Sequence, residues 1–547
     1  MRTRSIIAIL IGTTTAVFLL IAQQQIQAAP QASNYYVCDC QTNADGDCVA
    51  GNDGNSGTDP NSPWQTYEHA RLHFNSSIHA GDEILFCQGG AFDLGNSSGM
   101  WLTSNCTAVS PCVLADYAPP WASGDEKRPI LWKTTDGHAF ELSNGGNAIH
   151  DEGYTFRNLD MRCPGCTANG GWGFFFYNDV NDVLIENVSI DSFAIGIHLA
   201  GSNPCAGGDT QCNGQHDRVT IRNVSITNNY AQGILGGANE LLIENSTFIH
   251  NGSGTVFEHN IYISGGNGIV IRNNELYQAS LDGSGNCGGT SLVAHGTLAD
   301  VLVEGNYVHE DMGKANQTCW GIALSAAYEE PESFTNVTIR GNRVENVGNV
   351  AIVTSSCITC TIENNVVMHE QGFGVTAVLV PDDFTGPGDA VSSNITIRNN
   401  SIAVSGGSGI RLLEGSGHTV VSNAIEMTGM DSNWDCFDLP LSAANYNMVD
   451  HNVCGFAAGE WANGVGNLAA WQALGWGTNS QASNPGFVST TNLRPASETA
   501  VIIQAGHPSL SSATDFDGNA RPTPPAAGAY EWLTLDKKVW LPMIVTP

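Results

Sequence analysis

Positively charged residues are scarce in this sequence. Lys and Arg together number 20 in 547 residues, against 53 Asp and Glu, and the formal net charge is −33 at pH 7. Proteins that bind nucleic acid present a basic face to the phosphate backbone, so this balance argues against a nucleic-acid partner. It also argues against binding other polyanions without a bridging cation.

Charge of either sign is low as well, because Asp, Glu, Lys and Arg make up only 13% of the residues. A coiled coil or a protein built from long helices needs far more Glu and Lys. A disordered chain combines more charge with fewer apolar residues than the 42% found here. These shortages exclude both classes and predict an ordered chain.

Long apolar runs are confined to the beginning of the chain. A basic start at residues 1–4 precedes an apolar stretch from Ile6 to Ala22, and the small residues Ala28 and Ala29 follow. This order is typical of a cleaved secretory signal, which we place at residues 1–29. An uncleaved anchor is the alternative, because about 17 apolar residues are the lower limit for a membrane span.

Cysteine is present in an even number, 16, and every one lies after the apolar stretch. In an exported chain this predicts disulfides, and short spacings nominate the pairs. Zinc or redox chemistry is the alternative for the two CxxC pairs, but their wide separation favours structural disulfides. The predicted pairs are Cys106–Cys112, Cys163–Cys166, Cys205–Cys212, Cys287–Cys319, Cys357–Cys360 and Cys436–Cys454, with Cys38, Cys40, Cys48 and Cys87 pairing among themselves.

A short phrase repeats from about residue 150 onward. An apolar residue is followed by Arg or Glu and then by Asn or Gly, as in Thr220-Ile-Arg-Asn and Leu242-Ile-Glu-Asn. Each copy alternates apolar and polar residues as a strand does, and Asn or Gly tolerates a left-handed turn. The register residues are Phe156, Ile185, Ile221, Ile243, Ile271, Val303, Ile339, Ile362, Ile397 and Val421, with a weaker copy at Met448.

One such coil cannot bury its apolar face alone, but stacked coils can. The repeat therefore predicts an all-β fold, a single-stranded right-handed parallel β-helix of about eleven coils with an N-terminal cap and an irregular C-terminal segment. At roughly 4.8 Å per coil the stack would be about 50 Å long. We place the cap and first coils in residues 30–146, the repeats in 147–456, the C-terminal cap segment in 457–533 and a basic and apolar tail in 534–547. We expect a monomer.

The position before the Asn or Gly alternates in sign along the repeat. In stacked coils each charge would lie about one strand spacing from opposite charges, which stabilises a sheet modestly. Nothing interrupts the alternation to form a site, so we interpret it as a device that fixes the register. The residues are, in order, Arg157, Glu186, Arg222, Glu244, Arg272, Glu304, Arg340, Glu363 and Arg398.

The beginning of the mature chain resembles known proteins of this fold. The stretch from Tyr35-Tyr-Val to Thr58, followed by Pro63-Trp-Gln-Thr and Gly81-Asp-Glu-Ile-Leu-Phe, resembles the opening of secreted pectin-lyase-like β-helix proteins. The resemblance implies the fold and export. It implies no single reaction, since that superfamily contains polysaccharide lyases, glycoside hydrolases, epimerases and non-catalytic adhesins.

The end of the chain carries a second resemblance. The stretches Asn484-Pro-Gly-Phe, Asp515-Phe-Asp-Gly-Asn-Ala-Arg-Pro and Gly528-Ala-Tyr-Glu resemble the end of choice-of-anchor β-helix proteins. The tail that begins at Lys537 resembles short terminal tails of exported bacterial surface proteins. This resemblance implies a partner in the cell envelope, reached through the tail.

The coils between Phe257 and Glu332 hold the most suggestive chemistry. Strand alternation is expected to turn their polar residues outward beside long acidic loops. A β-eliminating lyase needs a base and a cation that neutralises a uronate, whereas a glycoside hydrolase needs two carboxylates. The predicted catalytic residues are His295, Asp311, Tyr262, Lys314, Asp282, Glu258 and His259, and the predicted substrate-binding residues are Trp320 and Asn260.

An Asn- and Asp-rich loop near the N-terminus offers hard oxygen ligands of the kind that Ca²⁺ prefers. The predicted ligands are Asp45, Asp47, Asp53 and Asp59. The loop is not an EF-hand, because Cys48 stands where that motif requires glycine. A solvated turn region is the alternative.

The leading hypothesis is a secreted or cell-surface carbohydrate-active protein that acts on an extracellular polysaccharide by β-elimination or glycosidic hydrolysis. The alternative is a non-catalytic surface or adhesion protein. An enzyme should show a groove beside Tyr262, His295 and Asp311, whereas an adhesin should show loops that fill this face. The acidic balance favours a neutral glycan, or an acidic one held through Ca²⁺.

Overall fold

The computed structural model describes residues 32–95, 99–103, 105–143, 151–168, 170–201, 212–382, 386–429 and 434–532. Three long parallel sheets, which we call A, B and C, account for nearly all of the regular structure. The predicted signal at 1–29 and the predicted tail at 534–547 lie outside the described residues. No helix in the described ranges has the length and apolar character that crossing a membrane requires.

From Asp151 onward the chain visits the sheets in the order A, B, C, and each circuit forms one coil of a parallel β-helix. Sheet A contains Asn34–Val37, Glu83–Cys87, Cys112–Tyr117, Asp151–Arg157, Val180–Glu186, Val219–Arg222, Leu242–Glu244, Gly266–Asn267, Val270–Arg272, Thr297–Glu304, Ser333–Arg340, Cys357–Glu363, Thr396–Arg398, His418–Val421 and Tyr446–Asp450. Sheet B contains Ala91–Asp93, Ile130–Trp132, Asp160–Arg162, Ser189–Asp191, Ser225–Thr227, Thr247–Ile249, Glu275–Tyr277, Tyr307–His309, Arg343–Glu345, Val366–His369, Ser401–Val404, Ala424–Met427, Val453–Phe456 and Gln481–Ala482. Sheet C contains Phe140–Ser143, Trp172–Tyr177, Ile195–Ala200, Ile234–Gly236, Ile261–Ile263, Leu292–Ala294, Ile322–Leu324, Val350–Thr354, Val375–Val380, Gly407–Leu412, Asp435–Asp438 and Glu460–Ala462.

Few elements lie outside the three sheets. Helix α1, at Tyr67–Ser77, has Thr66 as its N-cap and packs Tyr67, Ala70 and Phe74 into the core. Helix α2, at Leu468–Ala473, contributes the buried Trp471. The remaining elements are a 3-10 turn at Ala443–Asn445, the parallel pair His216–Asp217 with Ala238–Asn239 and the antiparallel pair Phe487–Ser489 with Asn492–Pro495.

The repeat phrase pairs in register along sheet A, as predicted. Phe156 pairs with Ile185, Ile185 pairs with Ile221, and the column of buried residues continues to Val449. One predicted position is wrong, because Ile397 pairs with Val420 and not with Val421. Two adjacent valines fit the apolar pattern equally well, so the pattern alone did not separate them. The sheets also continue into the N-terminal cap.

The corner between sheets A and B is tight and regular. Its first residue adopts a left-handed conformation, with φ of 55° at Asn273 and 54° at Asn364. From Asn274 onward the next residue is an asparagine that turns into the coil and joins a buried ladder, in which each side-chain NH₂ donates to the Oδ1 of the following asparagine at 3.0 Å. The ladder consists of Asn274, Asn306, Asn342, Asn365, Asn400, Asn423 and Asn452.

The alternating charges stack in the predicted order, because each pairs in register with the next along sheet A. The ion pairs are one-sided, since four of the five arginines each contact the glutamate of the preceding coil, whereas Arg157 lies 3.9 Å from Glu83. The pairs are Glu186–Arg222 at 2.7 Å, Glu244–Arg272 at 2.6 Å, Glu304–Arg340 at 2.7 Å and Glu363–Arg398 at 2.7 Å.

The disulfide pattern is confirmed wherever both cysteines are described. Cys205 of the predicted pair Cys205–Cys212 lies outside the described residues. The two CxxC pairs are disulfides, which agrees with the structural interpretation. The bonded pairs are Cys38–Cys87, Cys40–Cys48, Cys106–Cys112, Cys163–Cys166, Cys287–Cys319, Cys357–Cys360 and Cys436–Cys454.

The irregular C-terminal segment packs along the side of the stack. Phe487, Ile502 and Tyr530 join an apolar cluster on the outer face of sheet B. Arg521 and Glu531 form a buried ion pair at 2.6 Å, and a further Arg521 nitrogen donates to the side chain of Asn364 at 2.8 Å. The segment thereby shields the last coils of sheet B and their A-to-B corners.

Substituting Arg272 with Glu should destabilise the coil register. The change removes the ion pair with Glu244 and places three acidic side chains in successive coils, since Glu304 lies on the other side. Like charges directly opposite in a sheet are unfavourable, so we expect a loss of about 1 kcal/mol in the free energy of unfolding. Thermal melting measures it. Arg272→Gln removes only the attraction and should cost less; an equal melting temperature for both variants would contradict the repulsion.

Substituting Asn342 with Ala should be more costly. The Asn342 side chain is fully buried, accepts from Asn306, and donates to the carbonyl of Val303 and to Asn365. Removing it leaves buried polar groups without partners, so we expect a loss of roughly 2–4 kcal/mol. The matched control is Asn447→Ala, because exposed Asn447 makes one hydrogen bond to Gly417. Chemical denaturation of both variants should show a much larger midpoint shift for Asn342→Ala.

Candidate functional site on sheet C

Long loops flank the outer face of sheet C on both sides. The chain between Tyr277 and Leu292 and the chain between His309 and Ile322 connect sheet B to sheet C. The loop between Leu324 and Ser333 connects sheet C to sheet A. From Asp151 onward the A-to-B corner has no comparable loop, because two residues complete it. Loops that border a rigid sheet are where binding and catalytic groups concentrate.

The outward residues of sheet C form a column whose chemistry changes along the stack. The first coils present aromatic rings and histidine, the middle coils present aliphatic residues, and the last coils present opposite charges. The column consists of Phe175, His198, Leu235, Tyr262, Val293, Ala323, Val353, Leu379, Arg411 and Asp438.

The aromatic end is a cluster of stacked rings. The His138 and Trp172 rings lie 4.4 Å apart, and the His198 ring stands 4.9 Å from Trp172. Burial lowers the pKa of both histidines to about 4, so they are neutral at pH 7. Tyr177 is 42% exposed at the edge of this cluster.

The middle coils hold two of the predicted catalytic residues in contact with loop side chains. The phenolic oxygens of Tyr262 and Tyr328 lie 3.1 Å apart, and Nδ1 of His295 lies 3.5 Å from a carboxylate oxygen of Glu332. Burial lowers the pKa of His295, although the charge of Glu332 opposes that shift. The loop after Leu324 therefore reaches over this part of the face.

Glu332 holds that loop in place. Its carboxylate is 2% exposed and accepts hydrogen bonds from the backbone NH groups of Gly296, Ala327 and Tyr328. Val353, one coil further along the outer face, is fully buried in an apolar cluster that includes Trp320. The groove that we expected beside Tyr262 and His295 is filled by the loop.

Two predicted residues at the entry to the strand of Tyr262 are buried. His259 is 5% exposed, donates from Nδ1 to the carbonyl of Thr290 at 2.9 Å, and has a pKa lowered to about 4 by burial. The expected outward orientation of Asn260 is wrong: it is fully buried and accepts from Asn251 at 2.9 Å. Asn260 and Ile261 both turn inward where this strand begins, so the simple alternation of inward and outward residues fails there.

Asp311 lies on the outer face of sheet B, away from His295. Its carboxylate accepts from the hydroxyl of Tyr277 at 2.8 Å, and the Tyr277 ring stacks on His309 at 4.5 Å. Nε2 of His309 lies 3.1 Å from the carboxylate of Glu275. The predicted catalytic set is thus divided between two faces.

The other predicted residues hold the loops between sheets B and C. Asp282 accepts from the backbone NH groups of Asn286 and Ser284, which lower its pKa to about 2. Lys314 donates to the carbonyl of Ser284 at 3.4 Å. These contacts, with the Cys287–Cys319 disulfide, tie one loop to the next.

Glu258 and Trp320 also contact the same loops. The Glu258 carboxylate accepts from the hydroxyl of Ser280 at 3.1 Å. The Trp320 ring nitrogen donates to the side chain of Asn349 at 2.7 Å, and the ring packs against the apolar middle of sheet C. Both side chains therefore support the loop structure.

The four predicted calcium ligands do not form one shared cluster. In the described ranges, they belong to no group of three or more adjacent His, Cys, Asp or Glu ligand atoms. Asp45 forms an ion pair with Lys127 at 3.0 Å. Asp53 accepts from Gln65 and Thr66 at the start of α1, and Asp59 accepts from Asn61. Asp47 is exposed. These four carboxylates are too dispersed to share one ion. Calcium therefore has no part in the proposed mechanism, and calcium binding stays a prediction.

The charged end of the column was not predicted. Asp435 and Asp438 both face outward on one strand, and Arg411 lies 2.9 Å from the carboxylate of Asp438. Asp435 stands between Ser408 and Glu460 of the neighbouring coils. Burial, with the charges of Asp438 and Glu460, raises the pKa of Asp435 to about 7 against the opposing effects of Ser408 and Arg411. The two acids stand three residues apart in one strand, and this short separation was the sequence signal that was available.

Comparison with known proteins supports the fold. Residues 332–467 match the family model described as the right handed beta helix region. The chain is a right-handed parallel β-helix. No curated protein matches the sequence.

Several solved structures are similar at low identity. One is a lacto-N-biosidase from Eubacterium ramulus, with 12% identity and a TM-score of 0.41 over 83% of this chain and 67% of that chain. Another is the A-module of a mannuronan C-5 epimerase from Azotobacter vinelandii, with 14% identity and a TM-score of 0.42 over 62% and 85%. A pectate lyase has 14% identity and a TM-score of 0.33 over 92% and 97%. Similarity at this level does not assign a function, which has to follow from the side chains of this chain alone.

Substituting Glu332 with Ala should release the loop that fills the middle of the face. The change removes the acceptor of three backbone NH groups, at Gly296, Ala327 and Tyr328. Unpaired NH groups near the surface exchange faster, so hydrogen exchange followed by mass spectrometry should show faster uptake in residues 326–332. Glu329→Ala is the control, because Glu329 is exposed in the same loop. Equal uptake in the two variants would contradict the holding role of Glu332.

Proposed function

We propose that the protein is an extracellular carbohydrate-active enzyme that hydrolyses glycosidic bonds at the pair Asp435 and Asp438. The observation that carries this proposal is the difference between the two carboxyl environments. Burial and neighbouring acids raise the pKa of Asp435 to about 7, whereas Asp438 is paired with Arg411 at 2.9 Å. A carboxyl group with a raised pKa beside a second carboxylate held by an arginine is an arrangement that suits the two-carboxylate chemistry of glycoside hydrolysis.

The two side chains take distinct roles in this mechanism. Asp435 carries a proton up to about neutral pH and donates it to the oxygen of the leaving sugar. Asp438, as the carboxylate paired with Arg411, activates water or attacks the sugar directly, depending on the separation of the two groups. Asn463 donates to the other oxygen of Asp438 at 3.1 Å, which fixes the orientation of the carboxylate.

A neutral glycan fits this site better than a uronate polymer. Asp435, Asp438 and Glu460 lie together, and the one arginine among them is already paired. The formal net charge of −33 adds long-range repulsion toward a polyanion. Trp434, directly before Asp435, is half-buried and lies over Gly406, where a Cβ would come within 1.3 Å of its ring. Such a ring offers an apolar surface for a sugar.

β-Elimination has weaker support in the residues that we predicted for it. The charged partner of His295 is the carboxylate of Glu332, whereas a lyase requires a cation there to neutralise the uronate. Export and an envelope partner for the tail remain part of the proposal. The disulfides support it, since such bonds persist in oxidising compartments.

A non-catalytic glycan-binding protein is the second candidate. It is favoured by the loop over the middle coils, where Val293, Ala323 and Val353 are 4%, 1% and 0% exposed. For an adhesin we expected loops that fill this face. The two candidates differ in one outcome, because a binder retains glycan without creating new chain ends.

The test is hydrolysis of a polysaccharide panel by the mature protein, followed through new reducing ends. Asp435→Asn and Asp438→Asn should each lower the rate on the responsive glycan by at least about a hundredfold, since each removes one of the two groups that the reaction needs. Glu498→Gln is the matched control, because Glu498 is an exposed carboxylate in the C-terminal segment. Its rate should equal that of the wild type.

The pH dependence provides an independent check. Asp435 acts as an acid only while protonated, so the rate should fall as the pH rises through about 7. Glu460→Gln removes a negative neighbour, lowers the pKa of Asp435, and should move this fall to lower pH. Full activity in both Asn variants would exclude the site. Binding without new reducing ends would instead support the non-catalytic candidate.

A further inference from the structure

A buried carboxyl group lies against the Cys287–Cys319 disulfide. The two sulfur atoms and a carboxylate oxygen of Glu310 all lie within 4.8 Å of one another. Glu310 is 3% exposed, and both cysteines are fully buried. The adjoining residues Ala279 and Ala315 are small.

One oxygen of Glu310 lacks a partner. Oε1 accepts from the backbone NH of Gln278 at 2.9 Å, but Oε2 is buried without a hydrogen-bond partner in the part of the chain that the structure describes. Leaving a polar group unpaired in the interior is unfavourable, and such a group calls for an explanation such as a bound ion. Burial raises the pKa of Glu310 well above its usual range, which favours the protonated form of the group.

The backbone holds the two cysteines independently of their bond. The Cys287 NH donates to Lys314 at 2.7 Å, and its carbonyl accepts from Asn316 at 2.8 Å. The Cys319 NH donates to Asn316 at 3.0 Å, and its carbonyl accepts from Gly348. These bonds persist when the disulfide opens, so the two thiols would stay beside Glu310.

We propose that Cys287, Cys319 and Glu310 form a Zn²⁺ site when the disulfide is reduced. Two thiolates and one carboxylate are a donor set that zinc accepts, with Zn–S near about 2.3 Å and Zn–O near about 2.0–2.2 Å. Ligand atoms within 4.8 Å of one another can meet at one ion at those distances. The fourth position is left to water or a backbone oxygen.

A dithiol is the reductant that opens the Cys287–Cys319 bond. The dithiol gives two electrons and two protons to the Cys287–Cys319 bond and becomes a cyclic disulfide, leaving two thiols. Binding of Zn²⁺ then releases the two thiol protons and the proton of Glu310. In the reverse direction the cyclic disulfide accepts two electrons from the two thiolates and takes up two protons to become the dithiol, the Cys287–Cys319 bond forms again, Zn²⁺ leaves, and Glu310 takes up a proton from water. The zinc site and the disulfide therefore cannot exist at the same time, because they use the same two sulfur atoms.

The test uses the whole protein, reduced with a dithiol, freed of it without oxygen and titrated with Zn²⁺ alone. Other reduced cysteine pairs bind zinc too, so the comparison is with reduced Cys287→Ser/Cys319→Ser. The wild type should bind one more equivalent than this variant. Glu310→Gln should weaken that equivalent by at least about tenfold. Glu329→Gln, which changes an exposed carboxylate, should leave it unchanged.

Proton release separates a ligand role from a structural one. Calorimetry in buffers of different ionisation enthalpy should give about one proton fewer for Glu310→Gln than for the wild type, because the amide has no proton to lose. Equal stoichiometry in the wild type and the double serine variant would overturn the proposal. So would an unchanged affinity and proton count in Glu310→Gln with its melting temperature preserved.

Discussion

The corner between sheets A and B is the constraint on which the rest of the structure depends. Two residues complete it, first a left-handed residue such as Asn273 and then a buried asparagine such as Asn274. The second asparagine bonds to the coils on both sides, so an inserted residue would break two sets of hydrogen bonds. Coils can therefore differ in length only at the other two corners. The variable spacing of the repeat reports the loops at those corners.

This restriction determines where chemistry can lie. Sheet A carries the ladder of paired charges, whose arginines and glutamates already engage one another. Both corners with free length border sheet C, so loops that differ from coil to coil surround a face whose floor is rigid. Where a loop is anchored, as by Glu332, its side chains contact the floor, as Tyr328 contacts Tyr262. In the last coils the outward groups are instead charged.

The repeat made the fold predictable, because one short phrase repeats with the same apolar position in every coil. Register followed from it, including the charge order, and failed only where Val420 and Val421 fit the pattern equally well. The cysteine pairs followed from their spacing. The buried asparagine ladder was missed, because its residues, such as Asn274, come directly after the repeat phrase and the sequence does not show which way their side chains turn.

The site was less predictable because it depends on direction and burial. Alternation assumes a regular strand, and the two inward residues at the start of the Tyr262 strand reversed Asn260. Asp311 and His295 are close in sequence, but a corner between two sheets separates them. Arg411 and Asp438 meet through stacking, and the pKa of Asp435 follows from burial, which no local pattern reports.

The charges at the two sheets obey opposite rules, and this contrast supports a functional role for Asp435. Along sheet A each glutamate of the alternating charges, from Glu186 to Glu363, pairs in register with arginines, which avoids repulsion between coils. In sheet C, Asp435 stands directly opposite Glu460, an acid facing an acid. A fold that alternates charge elsewhere departs here from its own rule, and departures of this kind concentrate at functional sites. Retaining a proton on Asp435 relieves the repulsion, so the same feature that strains the stack keeps an acid available for transfer.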